Sequence, residues 1–401
     1  QEWGEVLERA EGDLGLYVEE RADEAIERLH RILAIDPDLG PARILIGLVY
    51  YENEMFHRFV AQFEDYRRRQ PDLAEPYFML SLALHAQGDE EHARIAFTHG
   101  LNRLVEGGRY MRAGFMLSPR DTPMDVENLR LLWAPEDPLH YTPTNERLME
   151  HYQRVVYANL RFSEDDEMLT GWKSDRGRVY IRYGAPPKRF VATSSVGPDQ
   201  LWSYEAFTVS FMRLRMSPWT YRNGIIGRKE YRTMEALMSV FPPTSNVADL
   251  WPRQPLSCRV AQFRGEGGRT RIDLDVTFRD NLVRSAPGPR GARRVEIDYA
   301  VTALDMEWQE QSRSVKRLDH FAWIRQDEEG GFFVRSDALL LPPGPTQVMI
   351  ESLDLATSGL SVFHDTLDVR SFASPALTLS DILINRRSAS KPGESRGRKA
   401  M

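Results

Sequence analysis

At 401 residues the chain is too long for one hydrophobic core, so two or three domains are expected. Its 42% hydrophobic, 28% charged and 10% aromatic residues are those of a globular protein, with no apolar run near the roughly 20 residues that span a bilayer. A formal charge of −7 gives no general attraction to nucleic acid, and the single cysteine, Cys258, excludes an internal disulfide or a cysteine-built zinc or iron–sulfur site.

The chain begins at Gln1 rather than Met, which reads as a processed or trimmed terminus and is compatible with a secretory signal already removed. Up to about residue 115 the apolar spacing is helical. Pro37 and Pro71 follow helical segments in "LAIDPDLG" and "RRRQPDLA", 34 residues apart, which is the period of the tetratricopeptide (TPR) helix-turn-helix repeat. Gly47 and Tyr50 fall where that repeat uses a small residue and a Tyr. Ala25, Phe59 and Ala93 share one register position, and Leu29, Phe63 and Phe97 another. Arg43, where a large apolar residue is usual, and Phe59, where a small one is, depart from it. Stacked pairs leave a concave surface. Here it would be lined by Ile44, Leu48, Tyr51, Phe78, Leu82 and His85, either to hold a partner segment or to pack on later parts of the chain.

From 116 to 252 the pattern is mixed. "TPTNERLMEHYQRVVYANLRF" predicts a helix capped by Thr142, with Pro143 in its first turn and Leu148, Tyr152, Val155 and Val156 as its apolar stripe. An acidic stretch "SEDDE" follows, then "GWKSDRGRVYIRYGAPP". In it Val179, Ile181 and Tyr183 alternate with Tyr180 and Arg182, the period of a strand ended by Gly184, Pro186 and Pro187. Asp175 before Arg176 and Gly177 suits a turn in which the carboxylate accepts backbone N–H groups and Gly177 takes a positive φ. Trp172 would cover the end of a small sheet. "QLWSYEAF" reads as a strand, and "RKEYRTMEALMSVF" as a helix with Met234, Leu237, Met238 and Phe241 on one face.

From 255 to 385 the period is two. "RIDLDVTF" puts Ile272, Leu274, Val276 and Phe278 on one side, and similar runs recur in "RVEIDYAVTAL", "HFAWIR", "GFFVRS", "TQVMIES" and "LSVFHDTLDV" between the turn signals "GEGG", "DEEGG", "PPGP" and "TSG". Short antiparallel strands at this spacing predict a β-sandwich of immunoglobulin or fibronectin type III kind. Residues 386–401 form a basic tail without apolar pattern, to be disordered or ordered by a partner.

"LTGWKSDRGRVYIRYGAPP", with the Trp-x-Tyr of "LWSYEAF", resembles the GWxTD domain, a bacterial family named for its Gly-Trp-x-Thr-Asp signature. Gly171, Trp172 and Asp175 match, and Ser174 replaces the Thr while keeping a hydroxyl able to cap. The likeness extends over about 131–385. It implies an exported protein of bacteria such as Bacteroidetes and Acidobacteria, often with TPR repeats.

The expected architecture is therefore multidomain α+β: TPR-like helical repeats over 1–115, a GWxTD-like α/β domain over 116–252, an antiparallel sandwich over 255–385, and the tail. The signature residues Gly171, Trp172, Ser174, Asp175, Arg176 and Gly177 are read as structural. A general acid or base at Asp175 would need a second titrating group in reach, and no His lies within twenty residues of it. His92 and His99, two helical turns or roughly 10 Å apart, are too distant to share an ion. No His-Glu-x-x-His, Gly-x-Ser-x-Gly or phosphate-binding loop occurs. Trp202, Trp219, Tyr221, Trp308 and Trp323 are candidates for an aromatic sugar platform. No catalytic residue, cofactor or metal is assigned. The function expected is a non-enzymatic scaffold of the bacterial envelope or surface, binding proteins through the helical groove and the sandwich. The alternatives are a glycan-binding protein or glycoside hydrolase, and a subunit of a homo-oligomeric ring or filament. The expected location is the periplasm or cell surface, with any membrane association through a partner.

Overall fold

A computed structural model describes residues 18–117, 123–163, 171–194, 197–214, 218–246, 253–279, 283, 285–289, 292–327, 330–355, 357, 359–373 and 379–382. The acidic stretch at 164–167 and the basic tail lie outside these residues. The chain forms two compact units, residues 1–251 and 252–401, rather than three folded domains. The helical part and the following α/β part merge because one apolar core runs from Ala22 to Leu237.

Helices α1 (Val18–Ile35), α2 (Gly40–Glu52), α3 (Phe56–Arg69), α4 (Ala74–Ala86) and α5 (Glu90–Leu101) pack each on the next. α1 and α3 stop two residues before Pro37 and Pro71, which cannot continue a helix. Gly47 lets α3 approach, since a Cβ there would lie 2.7 Å from the Phe63 ring. Arg43 is buried where an apolar residue was the norm. Its guanidinium donates to the Pro37 carbonyl at 2.6 Å and to Asp65 at 2.9 Å, strapping the α1–α2 turn to α3.

Helices α6 (Arg109–Gly114) and α7 (Val126–Trp133) lead to α8 (Glu146–Phe162). Its cap is Asn145 and not Thr142: the Asn145 Oδ1 accepts from the Leu148 N–H at 2.8 Å, while the Thr142 hydroxyl donates to Glu146. The predicted stripe of Leu148, Tyr152, Val155 and Val156 is buried, but so are Glu150, His151, Gln153, Arg154 and Asn159. α8 is thus central to the unit. Of the six residues expected to line an open groove, five belong to or pack against the core, and His85 pairs with Glu90 of α5. Ile44, Leu48, Phe78 and Leu82 are buried, and Tyr51 and His85 half-buried. Phe78 stacks on Tyr152 at 4.4 Å, Tyr51 meets Tyr157 edge-on at 5.6 Å, and Gln153 donates to the Ser81 hydroxyl at 3.4 Å. The concave face is filled by the chain itself.

A further helix, α9 (Asp175–Tyr183), stands where alternation predicted a strand. Five residues of alternation also fit a helix buried on several sides, and both ends carry helix signals. Ser174 caps the start, and Gly184, at φ +75°, closes the end with its N–H on the Tyr180 carbonyl at 2.7 Å. An antiparallel sheet follows in sequential order: β1 (Lys188–Ser194), β2 (Gly197–Ser203), β3 (Thr208–Met212), β4 (Thr220–Ile226) and β5 (Lys229–Tyr231). "KEY" forms β5, and the helix expected there, α10 (Met234–Val240), starts only after the Thr233 cap.

The second unit contains β6 (Arg253–Pro255), β7 (Ser257–Arg264), β8 (Thr270–Arg279), β9 (Ser285–Pro287), β10 (Arg293–Leu304), β11 (Glu310–Ala322), β12 (Arg325–Asp327), β13 (Gly330–Leu341), β14 (Gly344–Asp354) and β15 (Gly359–Val369). One sheet has the order β11-β10-β14-β15-β6, with β9 beside β10, and the other β12-β13-β8-β7. Alternate residues of β8, among them Ile272, Leu274, Val276 and Phe278, are fully buried in a core shared with β10, β13 and β14. Pairing is antiparallel except between β15 and β6, so the expectation of an all-antiparallel region is corrected at that edge.

Candidate functional site

The signature begins where α8 ends. Gly171 is required by close approach: a Cβ there would lie 2.1 Å from the Ala158 carbonyl oxygen of α8. Its N–H donates to the Ser163 hydroxyl at 3.1 Å, and the Trp172 N–H donates to Asn159 Oδ1 at 3.0 Å. Ser174 donates to the Gly171 carbonyl at 2.8 Å and accepts from the Gly177 N–H at 3.0 Å, so the hydroxyl that replaces Thr still caps, worth about 1 kcal/mol. Gly177 sits inside the helix, not in the positive-φ turn expected. A Cβ there would be 1.8 Å from the Gly171 oxygen. Trp172 is half-buried on the core, with the Lys173 ammonium 5.3 Å from its ring.

Both charges of the signature that face inward serve the fold. Asp175 Oδ2 accepts the Tyr221 N–H of β4 at 2.7 Å, a partner 46 positions away rather than the local turn expected. The buried Arg176 guanidinium lies between the rings of Phe162 and Trp219, 5.2 and 4.9 Å from their centroids. The signature is therefore a clasp joining α8, α9 and β4. Of the aromatic platform candidates, Trp202 and Trp219 are buried and Tyr221 and Trp308 half-buried, so only Trp323, 65% exposed, stands open.

A polar network lies beneath the clasp. Glu150 accepts from Arg154 at 2.6 Å, Arg147 at 3.2 Å, Ser245 at 2.8 Å and the Asn246 N–H at 2.9 Å. Beside it, burial holds His151 down at about 3, helped by the positive Arg147 and Arg154. Its Nε2 lies 2.9 Å from the Ala113 carbonyl and therefore carries the proton.

The clasp also sets α9 so that Tyr180 stacks on Tyr157 at 4.5 Å, and Tyr157 in turn meets Tyr51. The Tyr157 hydroxyl donates to Glu52 at 3.3 Å, and Arg161 Nε is 3.6 Å from the same oxygen. Arg189 of β1 stands over the Trp202 ring at 5.0 Å. Burial pushes the Glu52 carboxyl up, against Arg189 and the Tyr157 hydrogen bond. It pushes Tyr51 up to about 12, with Glu52 adding to it, and raises Tyr157 and Tyr180 further. These residues come from five separate elements, and of them Tyr51 and Trp202 are singled out by the sequence.

No group of three or more His, Cys, Asp or Glu side chains is placed to hold a metal ion among the described residues. His85 and His92 face Glu90 and Asp89, at 2.7 and 2.9 Å. No helix among them is long and apolar enough to cross a membrane.

The two units thus define a class: a helical body carrying a small clasped sheet, followed by a β-rich unit. A GWxTD domain is found at residues 140–224, from just before α8 into β4, a narrower span than the 131–385 resemblance. No curated protein matches the chain.

Proposed function

We propose that the protein is a non-enzymatic assembly component of a bacterial envelope, exported to the periplasm or cell surface. On this reading the N-terminal helices are TPR-like and the β-rich unit is an immunoglobulin- or fibronectin-like sandwich. The 34-residue spacing of Pro37 and Pro71 and the small Gly47 under Phe63 support the first, and two sheets on one core the second.

The observation that carries the non-enzymatic reading is the use of the signature. Asp175 and Arg176, its most reactive-looking pair, are spent on a β4 amide and two aromatic rings. Since α8 fills the concave helical face, partners are assigned to outer surfaces. Phe190 and Leu201, paired across β1 and β2 on one face, are exposed there.

Cross-linking in the source bacterium, followed by fractionation and mass spectrometry, tests this. The expected result is a discrete envelope complex with cross-links on the β1–β2 face. A chain found only as an uncross-linked monomer refutes it, and recovery of the chain cross-linked to itself alone selects the homo-oligomeric alternative.

A further inference from the structure

A strand at the edge of a sheet carries unpaired N–H and C=O groups, and proteins ordinarily blunt such edges by shortness, charge or a covering segment. The edges formed by β5, β6 and β12 are three residues long. β11 carries Arg313, Lys316 and Arg317. On β7 the backbone of Gln262 is already bonded to Asp381, its carbonyl accepting at 3.0 Å and its N–H donating at 2.8 Å. β1 has none of these devices. It runs seven residues in unbroken register with β2, and from Phe190 to Ser194 it is uncharged. Among the described residues Phe190, Val191 and Ala192 make no hydrogen bond beyond β2. Both faces are apolar there. Phe190, beside Leu201, is 54% exposed, and Val191 is 43% exposed on the opposite face, where Gln200 and Trp202 of β2 are buried.

We propose that β1 pairs antiparallel with β1 of a second copy of the chain, across a two-fold axis at Val191, joining the two five-stranded sheets into one. A second copy is the occupant because the strand is complementary to itself. With Val191, the middle of the seven residues, on the axis, Phe190 falls opposite Ala192 of the second copy, a large side chain against a small one on the same face. Lys188 falls opposite Ser194 of the second copy, so the basic ends of the two strands lie apart and no like charges meet. The two Val191 side chains cover each other on the core-facing side. Among the described residues the chain offers no other edge that is both this long and this open. The pairing uses the edge of β1 and leaves the Phe190 and Leu201 face free for the partners assigned above, so it can hold where the envelope reading fails, and the reverse.

Analytical ultracentrifugation of the full chain tests the pairing, with Val191→Lys and, in a Cys258→Ala background, Val191→Cys and Phe190→Cys. The parent should sediment as a dimer at about 100 μM. Val191→Lys sets two ammonium groups together at the axis and should raise the dissociation constant about tenfold or more, with an unchanged circular dichroism spectrum. Under mild oxidation Val191→Cys should give a covalent dimer, because directly paired Cα atoms lie about 4.5–5.5 Å apart. Phe190→Cys, offset by two residues from its own counterpart, should not. If Val191→Lys does not fold, the cysteine pair decides alone. A parent that stays monomeric overturns the proposal. So does a dimer that Val191→Lys leaves intact, or one in which Val191→Cys fails to cross-link.

Discussion

His151 makes the stability of the first unit depend on pH in a way that can be isolated. It is fully buried against Trp133, 4.6 Å between ring centroids, and its Nδ1 has no hydrogen-bond partner among the described residues. A proton added there would face Arg147 and Arg154 with no acceptor. The folded ring titrates at about 3 against an ordinary value of 6.5. Below 6.5 the unfolded chain takes up a proton that the folded one refuses, so the contribution is fully present above 6.5 and is lost as the pH falls toward 3. The slope is about 1.4 kcal/mol per pH unit, and the whole gap is worth at most about 5 kcal/mol. His85, raised by its bond to Glu90, works in the opposite direction but is part-exposed, so its offset is small. The perturbation is His151→Gln, which keeps a donor for the Ala113 carbonyl and cannot titrate. Urea unfolding at pH 7, 6, 5 and 4, read by hydrogen exchange of the α8 amides, should show the parent losing about 1.4 kcal/mol per unit relative to the variant. Parallel curves would refute the buried neutral imidazole.

Other substitutions probe the clasp and the network under it. Gly177→Ala places a methyl against the Gly171 oxygen and should cost about 3 kcal/mol in urea unfolding, with the loss confined to the first unit. Ser174→Ala should cost about 1 kcal/mol and Ser174→Thr almost nothing, because the hydroxyl alone makes the cap; thermal melts of the pair decide it. Glu150→Ala strands Arg147 and Arg154 in the interior and should lower stability by about 3–5 kcal/mol, whereas loss of the exposed Arg28–Glu24 pair should pass unnoticed in the same assay.

Where burial followed a single face, the sequence was readable. β8 alternates cleanly because one side meets the shared core and the other meets water, and the glycine-rich turn "GEGG" falls between β7 and β8 as the pattern required. Pro37 and Pro71 marked two helix ends because a proline disfavours the helical conformation of the residue before it. Reading failed where elements are buried on several sides. α9 looked like a strand because Arg176 and Gly177 are buried along with Val179, Ile181 and Tyr183, so its burial does not follow one helical face. α8 looked amphipathic, yet its polar residues are paired inside the unit, which also closed the expected groove. The ring cluster joins positions 51, 157 and 180, and no spacing along the chain signals such a meeting.

The account rests on Asp175 as a fold-holding acceptor for the Tyr221 amide at the start of α9. Comparing Asp175→Ala with Asp175→Asn in urea unfolding tests it most directly. Alanine removes both the acceptor and the helix-start charge and should cost about 2 kcal/mol, while asparagine keeps an acceptor and should stay within about 1 kcal/mol of the parent. Equal stability of all three proteins would contradict the clasp.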